Sequence, residues 1–63
     1  MQLNKVKTYR WTQNGSWFKV VLNFHYNTIV VLCNGFTIMQ IQGDRELLDH
    51  YEKQLICKGK MII

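Results

Sequence analysis

The sequence predicts an α+β domain in which a curled, four-stranded antiparallel β-meander is followed by one C-terminal α-helix. Two Asn-Gly pairs mark tight hairpin turns. The segments around these turns are rich in β-branched and aromatic residues, and the last third of the chain has helical spacing of its apolar residues. With 63 residues and an apolar fraction of 48%, the whole chain, 1–63, is predicted to form a single small domain.

Four strands are predicted between successive turn signals. Asn14-Gly15 and Asn34-Gly35 tolerate the positive φ of a type I′ turn, and the segment HYNT, residues 25 to 28, gives a weaker third signal. Connections this short make neighbouring strands antiparallel. The predicted strands lie in KVKTYRWT, WFKVVLNF, TIVVLC and FTIMQIQ.

One helix is predicted over RELLDHYEKQLICK, between Asp44 as its N-cap and Gly59 as the residue that ends it. Its apolar residues recur three and four positions apart and form one stripe, which is expected to pack on one face of the sheet: Leu47, Leu48, Tyr51 and Leu55. The apolar tail KMII is too short for a helix and is a candidate for a short fifth strand.

The first hairpin has two different faces if Asn14-Gly15 is a two-residue turn. Facing positions then sum to 29, as 14 and 15 do, and Trp11 opposes Phe18 on the apolar face. On the other face Arg10 lies directly opposite Lys19, with Trp17 beside them. Like charges in this position are unfavourable unless an anion is nearby. The candidate anion or nucleic-acid face is Lys5, Lys7, Arg10, Trp17 and Lys19.

Two features of this face have competing interpretations. Alternation assigns Lys5 and Lys7 to the apolar face, so either their side chains project beyond the core or a bulge resets the alternation. Trp17 is interpreted as a base-stacking platform flanked by phosphate contacts, as a cover for the second face of the sheet, or as part of a dimer interface.

The third strand, TIVVLC, is apolar at consecutive positions, which indicates a strand covered on both faces. One helix covers only one side of a sheet. The other side would be covered by strong curvature into a barrel-like monomer, by the KMII tail, or by another protein chain. The candidate protein interface is Val30, Leu32 and Met39.

The net charge of +4 is unevenly distributed along the chain. Residues 1–43 contain four cations and no acid, whereas residues 44–63 contain four cations and four acids. The excess positive charge therefore lies on the first two predicted strands. This distribution favours an anionic partner.

Residues that support catalysis are few. His25 lies in a turn without an evident orienting partner, and His50 lies on the predicted helix near Glu46. Ser16 lies in a turn, and neither a Gly-rich phosphate loop nor a zinc-binding spacing occurs. We therefore predict no enzymatic activity, no metal and no cofactor. Cys33 and Cys57 are expected to be free thiols.

No membrane association is expected, because no apolar run approaches the roughly 18 residues that span a bilayer. The N-terminal residues also lack a signal-peptide pattern. The expected location is the cytoplasm, or the host cytoplasm if the protein is viral.

The sequence favours a small non-catalytic protein-interaction module, with a protein partner or self-association. A bacteriophage or mobile-element accessory protein is the corresponding hypothesis. The alternative is a nucleic-acid-binding module that uses the basic and aromatic hairpin face. The modest net charge and the lack of an RNP, KH or helix-turn-helix signature count against that alternative.

Overall fold

The computed structural model describes residues 5–61 as a four-stranded antiparallel sheet followed by one helix. The strands are β1 (Val6–Gln13), β2 (Ser16–Asn23), β3 (Thr28–Cys33) and β4 (Phe36–Gln42), and the helix is α1 (Arg45–Lys58). The sheet order is β1-β2-β3-β4, and the sheet is open. The predicted α+β meander is confirmed, and the sheet does not close into a barrel.

Both Asn-Gly turns adopt the predicted left-handed backbone. Asn14 and Gly15 have φ of 53° and 80°, and Asn34 and Gly35 have φ of 51° and 90°. Two consecutive positive φ angles are the mark of a type I′ turn, whose twist matches that of the strands it joins. The first hairpin accordingly has the predicted register throughout, including the opposition of Arg10 to Lys19.

Helix α1 begins and ends where the sequence predicts. The Asp44 carboxylate accepts a hydrogen bond from the Leu47 N–H at 2.9 Å, which satisfies one of the free amides of the first turn. Gly59 has φ of 74° and donates its N–H to the Leu55 carbonyl at 3.0 Å. A left-handed residue at this position closes the last turn.

The hydrophobic core lies between α1 and one face of the sheet. Trp11 stacks on Phe18 with a centroid distance of 5.2 Å and packs half-buried against this core, as predicted. Every second residue of the central strands points to the same side, so the buried set follows the alternation. Its members are Val20, Leu22, Ile29, Val31, Leu48, Leu55 and Met61.

One residue of the C-terminal tail, Met61, belongs to the same core. Met61 is buried in the cluster that contains Leu48 and Leu55, and neither Lys60 nor Met61 lies in a strand. The rest of the predicted fifth strand, residues 62 and 63, lies outside the described residues. Within residues 5–61, no helix has the length and apolar character needed to cross a bilayer.

A polar contact ties α1 to β1. The Lys7 ammonium donates to Glu52 Oε2 at 2.9 Å, and the Tyr9 hydroxyl donates to the same oxygen at 2.8 Å. Lys7 therefore lies on the helix side of the sheet, as strict alternation requires, and β1 pairs with β2 without a bulge. The Lys7 ammonium lies 5.4 Å from the centroid of the Phe24 ring, and the Glu52 carboxylate neutralises its charge.

We expect this contact to make stability depend on pH at both extremes. The hydrogen bond from Lys7 holds the pKa of the Glu52 carboxyl below its ordinary value of 4.5. Burial raises the pKa of Tyr9 above 10.0, and the hydrogen bond to Glu52 raises the pKa of Lys7 above 10.5. The contribution of Glu52 is thus complete above about pH 4.5 and is lost as the pH falls through its folded-state pKa. The stabilising contributions of Lys7 and Tyr9 are complete below about pH 10 and are lost as the pH rises through their folded-state pKa values.

The measurement is the free energy of unfolding by denaturant across that pH range. Glu52→Gln should flatten the acid limb and reduce the alkaline limb, because it replaces the carboxylate to which Lys7 and Tyr9 donate by a neutral amide, while the burial of Tyr9 remains. Glu46→Gln, which neutralises an exposed acid in the same helix, is the matched control and should leave the alkaline limb unchanged. Equal profiles for the two variants would contradict the assigned role of Glu52.

Candidate functional site

The sheet face opposite α1 is left uncovered by the elements described within residues 5–61. The helix and Met61 both pack on the other face. We call the uncovered surface the open face. Its side chains are Val6, Thr8, Arg10 and Thr12 of β1, Trp17, Lys19, Val21 and Asn23 of β2, Thr28, Val30 and Leu32 of β3, and Thr37, Ile38, Gln40 and Gln42 of β4.

The centre of the open face is apolar. Val21 of β2 pairs with Val30 of β3. Leu32 lies on the same face of β3, two residues after Val30. Trp17 is 46% exposed and Ile38 is 50% exposed. Contiguous apolar surface of this kind is uncommon on a monomer and marks interaction sites when it occurs.

A pair of cations borders this apolar centre. Arg10 lies directly opposite Lys19, and Lys19 in turn lies opposite Leu32. Trp17 shares the face with Lys19, two residues along β2. All four acids of the chain lie between residues 44 and 52, in the N-cap and helix on the other side of the sheet. Among residues 5–61, the open face therefore carries two cations and no acidic side chain.

The structure divides the predicted anion or nucleic-acid face. Arg10, Trp17 and Lys19 come together on the open face. Lys7 lies on the opposite side, bound to Glu52. Lys5 precedes β1, and its carbonyl accepts a hydrogen bond from the Phe24 N–H at 2.8 Å. The predicted face is thus reduced to two cations and one tryptophan.

The predicted protein interface is also divided, and its Met39 member requires a correction. Val30 and Leu32 lie half-buried on the open face. Met39 pairs with Val31 and packs against the core on the helix side. The cause is a register shift in the β3–β4 ladder between Val31 and Leu32, because one extra residue exchanges the faces of all residues beyond it.

Ile38 lies on the open face but is not among the interface residues that the sequence predicts. An uninterrupted hairpin from the Asn34-Gly35 turn would pair Met39 with Val30 and turn Ile38 toward the helix. The shift leaves Ile38 as the extra residue between the Met39 and Thr37 pairs, on the same side as Gln40. The segment FTIMQIQ contains no glycine or proline that signals a bulge, so no sequence signal was available.

Reactive side chains occur away from the open face. A shallow cleft of about 590 Å³ lies at the start of α1, and its lining includes Asp44 and His50. The Asp44 carboxylate is engaged in capping the helix, and His50 Nε2 lies 3.1 Å from Gln54 Nε2. Cys33 and Cys57 are free thiols. In the described part of the chain, no three His, Cys, Asp or Glu residues are grouped closely enough to hold a metal ion.

Comparison with known proteins adds no assignment. No protein-family model matches the chain, and no curated protein or solved structure matches it. The open face is therefore the feature from which a function is inferred.

The cation pair predicts an unusual stability effect. Lys19→Glu should raise the free energy of unfolding by about 0.2–1 kcal/mol, because it replaces a like-charge pair opposite Arg10 by an attractive one. Thermal and denaturant unfolding measure this change. Lys53→Glu makes the same charge change on the exposed side of α1 and should not stabilise the protein. A Lys19→Glu variant that is less stable than Lys53→Glu would contradict the assigned electrostatics.

Proposed function

We propose that the protein is a small non-catalytic interaction module that binds a protein partner through its open face. The observation that supports this proposal is the exposed apolar surface around Trp17, opposite a helix that covers only the other side of the sheet. Removing such surface from water is the main favourable term in protein association. The two free thiols fit a reducing compartment, and the cytoplasm is the proposed setting.

The composition of the open face supports a protein interface. Its apolar centre is bordered by tryptophan and arginine, the residue types that most often dominate binding energy. Polar side chains surround this centre, as the rim of an interface requires. The rim residues are Thr8, Thr12, Thr37 and Gln40.

Nucleic-acid binding is the second candidate, favoured by the grouping of Arg10, Trp17 and Lys19. Non-specific binding of single strands needs a cationic groove along the backbone and several stacking aromatics. The open face offers two cations and one tryptophan, and its centre is made of aliphatic side chains such as Val30 and Leu32. These aliphatic residues bury surface against protein side chains but provide no stacking platform for bases.

Position-specific photo-cross-linking in the native cells tests the proposal. A photoreactive residue replaces Ile38 on the open face or, as the matched control, Ile56 on α1, which is 67% exposed. We expect one discrete protein adduct from position 38, resistant to nuclease, and none from position 56. The adduct should disappear when Leu32→Lys is added to the position-38 variant.

Two outcomes would contradict the proposed function. Equal adducts from positions 38 and 56 would indicate non-specific contact. A position-38 adduct that nuclease removes would identify nucleic acid as the partner and would promote the second candidate.

A further inference from the structure

We propose that the partner presents an acidic amphipathic helix to the open face. This inference rests on the proposed function and specifies the chemistry of the partner. The apolar stripe of that helix lies over Val30, Leu32 and Ile38. Its carboxylates lie on the flank that faces Arg10 and Lys19.

The cations Arg10 and Lys19 on the open face indicate that the partner helix is acidic. Arg10 and Lys19 are opposed on neighbouring strands, and no ion pair involves either of them within residues 5–61. In the free protein this opposition is unfavourable. A carboxylate placed between the two side chains replaces the repulsion by two charge-assisted hydrogen bonds. The Arg10–Lys19 pair is therefore more favourable with an anion bound between the two side chains than without one.

The open face has the right length to bind one helix. The strands contain six to eight residues, which span roughly 20–26 Å at about 3.3 Å per residue. Helix α1 has 14 residues and is about 21 Å long, and this one helix covers the opposite face of the same sheet. A partner helix of similar length covers the open face in the same way, as a third layer.

The same charges disfavour a second copy of the chain as the occupant. Two open faces brought together would place two Arg10–Lys19 pairs in one interface. Neither copy contributes an acidic side chain there, because all four Asp and Glu residues lie between residues 44 and 52, on the helix side. Like-charge juxtaposition in an interface is strongly unfavourable. The partner is therefore a different chain that supplies the acids.

Selection from a display library tests the inference. The library contains helical peptides of about 18 residues, with an apolar stripe at helical spacing and with all flanking positions randomised. The probe is the full chain, biotinylated at a C-terminal tag. We expect enrichment of peptides with Asp or Glu along one flank of the stripe.

Three variants test whether the selected peptides bind the open face and whether Lys19 attracts their acidic residues. The affinity of the selected peptides should fall at least about tenfold for Leu32→Lys and for Lys19→Glu, and should be unchanged for Lys53→Glu. Lys19→Glu should keep or improve the stability of the fold, so its loss of binding is not a loss of structure. The loss should shrink at high salt, because screening weakens exposed charge pairs.

Several results would overturn the inference. Peptides without acidic enrichment that still require Leu32 would refute the acidic helix and leave the proposed function standing. If no peptide is enriched, or if the selected peptides bind the Leu32→Lys variant equally well, a helix-binding site on the open face is refuted. The cross-linking at position 38 tests the proposed function independently of this result. Competition by oligothymidine would identify a nucleic-acid face, and a solution mass above the 7.5 kDa of one chain would identify self-association.

Discussion

Val31→Lys is expected to abolish folding. Val31 is fully buried in β3, between Val20 of β2 and Met39 of β4. A lysine there must either lose its charge or bring an unpaired ammonium into the core, at a cost of several kcal/mol. A domain of 63 residues has a total stability of roughly 3–9 kcal/mol. Circular dichroism and the dispersion of the amide NMR spectrum should show an unfolded chain.

Val30→Lys is the matched control, one residue earlier in the same strand. Val30 lies on the open face, where a lysine side chain reaches water. This variant should remain folded and lose about 1 kcal/mol or less, since only half-buried apolar area is removed. A folded Val31→Lys protein would show that the two faces of β3 are misassigned. Unfolding of Val30→Lys would show that the open face is a structural interface.

Leu48→Ala is expected to reduce the free energy of unfolding by about 2–5 kcal/mol. Leu48 is fully buried and, together with Leu55, packs α1 into the sheet core. Its replacement removes apolar burial and leaves a cavity between helix and sheet. Equilibrium denaturation with urea measures the change, and the transition midpoint should fall without loss of the two-state form.

Ile56→Ala serves as the control for Leu48→Ala. Ile56 belongs to the same helix but is 67% exposed, so its replacement should change stability by no more than about 0.5 kcal/mol. A Leu48→Ala effect below about 0.5 kcal/mol would mean that the helix does not pack through this residue.

Local chemistry explains why most of the fold was predictable from the sequence. Asn-Gly pairs select one turn type, and a two-residue turn determines the register of the whole hairpin. The first hairpin, with Arg10 opposite Lys19, follows from Asn14-Gly15 alone. The helix bounds follow from Asp44 and Gly59, whose capping interactions span at most four residues. Each of these features is encoded within a short window of the chain.

Long-range and irregular features could not be predicted in this way. The bulge that moves Met39 to the core and Ile38 to the open face arises in the β3–β4 ladder and has no local residue signal. The contact of Lys7 with Glu52 joins positions 45 residues apart, so the sequence alone left the placement of Lys7 ambiguous. A contact of this kind depends on the direction in which the helix packs across the sheet, which the local sequence does not specify.

The candidate site was predictable in part for the same reason. Arg10, Trp17 and Lys19 share a face through the predicted register of one hairpin. Val30 and Leu32 share that face through the alternation of β3. What the sequence could not show was that these two groups adjoin on one open surface, since that requires the β2–β3 pairing of Lys19 with Leu32.

The indole N–H signals of the two tryptophans provide the most direct test of the central claim that the open face binds protein. Trp17 lies on the open face, and Trp11 on the covered face is the internal control. Oligothymidine is titrated at low and then at moderate salt, followed by a peptide selected on the open face. We predict that the nucleic acid leaves both signals in place and that the peptide moves Trp17 alone. A salt-sensitive shift of Trp17 on addition of oligothymidine, with Trp11 unmoved, would contradict the account and make this surface a nucleic-acid-binding face.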